Sequence, residues 1–464
     1  MNIDLDPQSS VFSVYHLKME MSLAAQIVLN PADYCNFQFR GQGQANIVVG
    51  VQHRKTGKRS VWRIAKLRRS KLISTDPKTD TNMECVIMIM QPFFGQQFLP
   101  KMAINRMRTS DVHEIGKMVS LPAAQVVEKF EDLRAMPAAL SALRVERFRF
   151  IQGETTEVRP LYLTILQMDD VTQLPTSIDS ETGGDTITVE LKPKVGIFQI
   201  HNGISTRYCQ NCVMMVEKVV FQKKYPNLQH SCRLDMFSGH YDRTFQAISA
   251  AFEQPHNSLT VFKNGTQVHE GKAPLGFEEL SQLLFGDGSA DVEDLIEAIC
   301  LALTDSPSKD HFALHSTSVL SQILEGQKID DVGVVEAHRL LMACSEAEQE
   351  ALKDKGMFVK KGLEKLREPN LKDPVHTLQR YLLASTMKDC SVMISFRLQK
   401  PSSSPITGNV ISTSTGKVFQ LSTKVVDLDP KTSSNIVSGF ERYTEGVRFM
   451  NENPEAIGSL KPCM

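Results

Sequence analysis

Between Tyr34 and Leu67 the chain reads YCNFQF, RGQGQAN, IVVGV, HRKTGKRS, VWRIAKL, which is strand, glycine turn, strand, polar turn, strand. Strands in direct succession with short turns pair antiparallel, and that excludes a good deal. The helix that a Rossmann fingerprint or a P-loop needs straight after its glycines is missing, so nucleotide binding of those kinds is not expected. What the turn from Arg40 through Gly41, Gly43 and Asn46 can do is bring backbone N–H groups close to phosphates. Arg63, twenty residues after Gly43 and on the strand after next, then supplies a cation, as the strand lysine of a kinase does. An ordinary hairpin turn would carry the same glycines.

Lys plus Arg number 52 against 53 for Asp plus Glu, so no global field attracts polyanions and any anion site must come from local clustering. The densest cluster runs from Arg54 to Lys71, where nine of eighteen residues are cationic. A solvated charged hairpin or an import signal fits that composition. The interleaved Val61, Trp62, Ile64, Ala65 and Leu67 favour a partly buried strand with its cations aimed at a ligand.

A second strand signal, TITVELKPK, ends at Lys194. Its alternation buries Ile187, Val189 and Leu191 and puts Thr188, Glu190, Lys192 and Lys194 on the other face, both lysines exposed. Pro193 cannot donate to a ladder, so the segment belongs at a strand end or a sheet edge, where lysines can meet a ligand. Further on, DVEDLIEAICLAL places Val292, Leu295, Ile296, Ile299 and Leu303 on one helical stripe. Asp373 and Pro374 form a cap and first-turn pair for a helix ending near Met387. CSVMISFRL and KVFQLSTKVVDLD read as strands joined by a mobile hairpin loop from Pro401 to Gly416. Strands first, helices and a hairpin later, over 464 residues, predict an α+β protein of two lobes.

The nine cysteines are odd in number and scattered, MNIDLDPQSS offers no secretory signal, and no apolar run is long enough to span a membrane. Reduced thiols are expected in a protein of the cytoplasm and nucleus, a monomer with no membrane and no obligate nucleic-acid partner. Neither a Gly-x-Ser-x-Gly elbow nor a His-Glu-x-x-His helix occurs, which leaves hydrolase chemistry unsupported.

Six segments in order carry a family resemblance. GQGQAN followed by VWRIAKLRR is similar to the glycine loop and basic strand of the inositol-pentakisphosphate 2-kinases, and VELKPK resembles that family's Glu-Ile-Lys-Pro-Lys signature. LDMFSG, AFEQPHNSLTVFKNG, MKDCSVMISF and VVDLDPK follow in the family's order, so the resemblance spans Phe39–Lys431. It implies a two-lobed inositol-polyphosphate kinase-like fold with an antiparallel sheet in each lobe, helical insertions in the second, and ATP between them. Residues 1–168 would form the nucleotide-phosphate lobe and 169–464 the lobe with the inositide site and the two aspartates. The implied reaction moves the γ-phosphate of ATP, with Mg²⁺, onto the 2-hydroxyl of inositol 1,3,4,5,6-pentakisphosphate to give the hexakisphosphate, phytate. A silent inositol-phosphate or nucleic-acid binder that keeps the basic groove is the alternative.

Matching residues take the family's roles by this resemblance. Gly41, Gly43, Asn46 and Arg63 face the nucleotide phosphates, Met393 lies under the adenine, and Asp427 is the Mg²⁺ ligand. Arg68, Lys192, Lys194, Asn257 and Lys431 face the inositide, Lys192 counts among the catalytic residues as well, and Asp389 is the catalytic aspartate; Lys388, by its place next to Asp389, could hold a phosphate. The chain departs from the family pattern at Gln42, Ser258 and Thr260, and only Arg442 and Tyr443 stand near the plant members' Arg and Tyr ligands. The plant members' zinc motif is absent, its region holding just His338 and Cys344. Cys209, Cys212, His230 and Cys232 instead have the ligand types and spacing of a closed structural zinc site; merely buried cysteines are the other reading.

Overall fold

The computed structural model describes residues 27–42, 46–65, 77–122, 125–137, 162–174, 184–201, 203–204, 206–286, 288–399, 408–458 and 460–463. Gly43 and Arg68 lie outside them. The chain divides into two compact units, one of residues 1–83 and 101–170, the other of 84–100 and 171–464. The fold is α+β, with one antiparallel six-stranded sheet in each unit.

In the first unit β1 (Tyr34–Gln42), β2 (Asn46–His53) and β3 (Arg59–Ala65) form the meander read from the sequence. With β4 (Met102–Arg108), β5 (Val126–Lys129) and β6 (Tyr162–Asp169) the sheet order is β4-β6-β3-β2-β1-β5. Alternation decides the buried face. Ile47, Val49, Trp62 and Ile64 go inward and pack with Phe37, Ile115 and Phe130, Trp62 meeting Tyr34 edge-on at 4.7 Å.

The second unit holds β7 (Ile187–Leu191), β8 (Leu259–Lys263), β9 (Thr266–Glu270), β10 (Ser391–Leu398), β11 (Val410–Ser412) and β12 (Val418–Val426), in the order β11-β12-β10-β7-β8-β9. Asn264 and Gly265, both at positive φ, make the two-residue turn between β8 and β9. Helices cover the sheet. Val292–Thr304 buries its whole predicted stripe, each such side chain contributing ~1.5–3 kcal/mol. Pro374–Met387 starts on Asp373, whose carboxylate accepts from the His376 N–H at 3.0 Å. Among the described residues no helix is long and apolar enough to cross a membrane.

Of the two placements open to Pro193, the strand end holds and the sheet edge does not, because Pro193 lies just beyond β7, which runs between β10 and β8. Of the stretch expected as a mobile loop, residues 401–407 lie outside the described residues, while the rest includes β11 and a tied-down turn after it. Ser414 N–H and Oγ both donate to Glu297 at 2.7 Å, and Thr415 Oγ1 donates to Asp294. Glu297 and Asp294 are buried acids on this helix, and the Ser/Thr run gives them partners.

Candidate active site

Register explains why residues far apart in sequence meet. Leu191 pairs with Val392 and Leu259, and Ser391 pairs with Val426, so the C-terminal ends of β7 and β12 and the N-terminal ends of β8 and β10 lie at one end of the second sheet. Lys192 and Lys194 leave β7 there, Asn257 precedes β8, Asp389 precedes β10, and Asp427 and Lys431 follow β12.

Cations and carboxylates interlock at that sheet end. Lys192 Nζ meets Asp427 at 2.8 Å, Lys194 Nζ meets Asp389 at 3.2 Å, and Lys431 Nζ meets the other Asp389 oxygen at 2.6 Å. Ser391 Oγ lies 2.8 Å from Glu190 and 3.2 Å from Asp427. Burial opposes the charge on Asp389, but Lys194 and Lys431 outweigh it and hold its carboxyl well below the usual range. Burial likewise opposes Lys192, and Asp427 with Glu190 outweighs it, so its ammonium is held above its ordinary value. Lys194 goes the other way, because burial exceeds the pull of Asp389. Glu190 is pushed up by burial and then by Asp427. Both lysines are half-buried and paired with aspartates, not exposed as expected.

Lys194 has φ of 64° and Asp427 of 59°, a left-handed conformation that costs a non-glycine residue of order 1 kcal/mol and persists where surroundings enforce it. Around Lys194 the enforcement is visible. Buried Gln327 donates to the Lys194 carbonyl at 2.7 Å and accepts from Gly196 N–H at 2.7 Å, while Asn211 donates to the Val195 carbonyl at 2.6 Å and accepts from its N–H at 3.0 Å. A Cβ on Gly196 would come within 2.7 Å of the Phe237 ring. The lysine is therefore presented by a fixed turn.

Beside the aspartates opens a hollow of about 270 Å³ lined by Lys192, Lys224, Asn257, Thr260 and Lys272 among others. Asn257 is exposed on its rim, in the turn where His256 has φ of 50° and stacks on Tyr225. Lys224 and Lys272 were not singled out from the sequence, nor was Lys218. Burial, then Lys194 and Arg442, push Lys218 down to about 8, which places it in the same cationic field. The run EKVVFQKK gave a signal for Lys218 and Lys224, but nothing in it said which way they face. Ser258, one of the departures from the family pattern, is buried and accepts from Arg233 at 2.5 Å.

Burial removes two further residues from the site. Lys388 is buried and bound at 2.5 Å to Asp330, so it is not available to a phosphate. Tyr443 is 1% exposed and packs on His201, which leaves Arg442, exposed on the same helix, as the sole one of that pair able to meet a ligand. Met393 lies on β10, nearly buried and opposite Glu190 on β7.

In the first unit Gly41 has φ of 150°, a conformation that favours glycine, and open space where a Cβ would be. With the Asn46 amide oriented to face the guanidinium, its oxygen accepts from Arg63 Nε and Nη2, each at 3.0 Å. The amide thus fixes the Arg63 fork at the start of β2.

A separate cluster gathers Cys209, Cys212, Cys232 and Cys463, all within 4.8 Å of one another. His230, the expected ligand, is exposed and outside it. The fourth thiol comes instead from the C-terminal tail, held by the Cys463 N–H bond to the Arg207 carbonyl at 2.9 Å. Neighbouring sulfurs stand 3.5 to 3.8 Å apart. A tetrahedron with Zn–S bonds of about 2.3 Å has edges of about 3.8 Å, so the four thiols suit a closed structural metal.

The family described as Inositol-pentakisphosphate 2-kinase matches residues 39–442. The chain is 24% identical to the inositol-pentakisphosphate 2-kinase of Arabidopsis thaliana over 480 residues, covering 94% of this chain and 99% of that one. It is 26% identical to the Oryza sativa subsp. indica inositol-pentakisphosphate 2-kinase over 60% of this chain and 63% of the relative. For the Danio rerio inositol-pentakisphosphate 2-kinase the identity is 22%, over 63% and 72%. With its matched span reaching strands of both sheets and every residue of the aspartate–lysine cluster, this chain belongs to the inositol-pentakisphosphate 2-kinase family.

Proposed function

We propose that the chain is an ATP-dependent kinase that phosphorylates the 2-hydroxyl of inositol 1,3,4,5,6-pentakisphosphate. The observation that carries the reading is Asp389 and Asp427 set among Lys192, Lys194 and Lys431 at one sheet end. Phosphoryl transfer to a polyanion is mostly positioning and charge neutralisation, and this arrangement supplies both. The acceptor oxygen bonds to the γ-phosphorus, the bond to ADP breaks, and the hydroxyl proton passes to Asp389. In the free protein the lysines rest on the aspartates. The inositide phosphates draw Lys194 and Lys431 away and free the Asp389 carboxylate. Asp427, with its hard oxygen ligands, suits Mg²⁺, which would neutralise charge on the β- and γ-phosphates. Gly41, Asn46 and Arg63 take nucleotide phosphates, and the four-thiol cluster takes a structural Zn²⁺.

A turnover assay with ATP and Mg²⁺ against a panel of inositol phosphates tests this. Transfer to the pentakisphosphate with a free 2-hydroxyl, and none to the hexakisphosphate, is the expected result. Tight binding with no turnover would return the non-catalytic alternative.

Lys218 gives a pH signature. Its value of about 8 in the free protein rises when phosphates replace cations as its neighbours, so binding takes up a proton. Inositide affinity should therefore decline as the pH rises from about 7 to about 9. Titration calorimetry near pH 8 in two buffers of different ionisation heat should show a buffer-dependent enthalpy, and Lys218→Met should lessen it.

A further inference from the structure

One helix end meets both the turn that carries Lys194 and the turn that carries Asp389. The helix Val319–Gln327 starts on Ser318, whose hydroxyl accepts from the Ser321 N–H at 3.1 Å, and its last turn packs where those two segments come together. Gly326 permits the approach: a Cβ there would stand 2.6 Å from Met387 Cγ, two residues before Asp389. Gln327 follows, fully buried, and its single amide serves both turns. The amide nitrogen donates to the Lys194 carbonyl at 2.7 Å and to the Met387 carbonyl at 3.4 Å, while its oxygen accepts from Gly196 N–H at 2.7 Å.

Asp330, three residues on and also buried, repeats the pattern with a carboxylate. One oxygen takes Lys388 Nζ at 2.5 Å and Gln199 Nε2 at 2.9 Å, and the other takes the N–H groups of Val332 and Gly333 at 3.0 and 2.8 Å. Lys388 adjoins Asp389, and Gln199 lies on the chain leaving the Lys194 turn. In the free protein Lys194 Nζ rests on Asp389, so an inositide has to draw the ammonium away without displacing either backbone. The four-carbon stem of a lysine can swing while its carbonyl stays fixed, and here the carbonyl is held from Gln327.

We propose that Gln327 and Asp330 are positioning residues for phosphate transfer. Together they fix the Lys194 turn relative to Asp389, so that a ring phosphate engages the lysine while the acceptor hydroxyl stands at the carboxylate. The proposal rests on the kinase reading. Both residues act through the groups they hold and touch neither substrate nor the reacting atoms.

Three variants of the full chain test it, each assayed at a temperature where it is folded. Gln327→Met keeps the length of the side chain and loses all three bonds. It should raise the inositide KM about tenfold and lower kcat about tenfold, a combined loss on the scale of a reacting group displaced by about an ångström, with the KM for ATP unchanged. Asp330→Asn combined with Lys388→Met removes the buried ion pair as a unit and leaves no unpaired charge. Gln327 still holds the Lys194 turn in that double variant, so kcat should fall about tenfold with little change in the inositide KM. Leu320→Ala, in the core of the same helix, should lower the melting temperature and leave both constants unchanged. Wild-type constants in Gln327→Met, or equal losses in Leu320→Ala, overturn the positioning and leave the kinase reading standing. Should Gln327→Met not fold, the double variant decides: a lowered kcat supports the proposal and a wild-type kcat overturns it. If the wild type transfers phosphate to no inositide, the kinase reading falls and takes the positioning with it.

Discussion

Replacing Asp389 by Asn should lower single-turnover phosphate transfer by ~10²–10⁴, the scale of losing a general base, while ATP and inositide still bind. The residue follows the Pro374–Met387 helix and precedes β10, so a role in capping that junction is the competing explanation. The carboxylate argues against it. Among the described residues its oxygens bond Lys194 and Lys431 alone, while the turn is closed by the Asp389 backbone N–H on the Thr386 carbonyl at 3.1 Å. Asn keeps that backbone bond. Its loss of charge leaves two ammonium groups unneutralised, which favours an anionic ligand. A carboxyl held well below the usual range stays ionised as the pH falls, so kcat/KM should show no acid limb from Asp389 above about pH 4. The measurements are melting temperature, inositide affinity and single-turnover rate on one variant. A normal rate per folded molecule with a lowered melting temperature would make Asp389 a structural residue.

Much of the fold was legible because local chemistry agreed with the tertiary outcome. The β1–β3 meander, the Val292–Thr304 stripe and the Asp373 cap are each set by residues within one element. Failures came where long-range packing decides. Alternation in TITVELKPK gave the buried residues correctly but could not say that β8 and β10 would flank β7, so the lysines read as exposed. Charge adjacency made Lys388 resemble a ligand, whereas Asp330, 58 residues away, takes its ammonium into the interior. For the thiol cluster, spacing found the Cys209–Cys212 pair and Cys232, but the fourth position depends on a tail 231 residues beyond Cys232. His230 was nearer in sequence and carried the right chemistry. Nothing local indicated that it faces solvent.

Replacing both Lys192 and Lys194 by Met should weaken inositide binding by ~10²–10⁴, since each lost charge-assisted contact removes ~1.5–3 kcal/mol. The two lysines should differ in what they do to the fold. Lys192 is held above its ordinary value because Asp427 and Glu190 overcome burial, so its charge stabilises the protein at neutral pH, a contribution lost as the pH rises past its folded value. Without it, Glu190 and Asp427 face each other with no cation between them, and Lys192→Met should lower the melting temperature. For Lys194 the balance is reversed: burial exceeds the attraction of Asp389, and the charged form costs stability at neutral pH. Lys194→Met should leave the melting temperature unchanged or raise it, with Gln327 and Asn211 still fixing the turn through backbone bonds. Substrate affinity and stability thus move together in one single variant and apart in the other, a pattern that general unfolding cannot produce. Unchanged inositide affinity in the double variant would remove both lysines from the substrate site. Parallel loss of ATP and inositide binding with melting would show that the pair supports the fold instead.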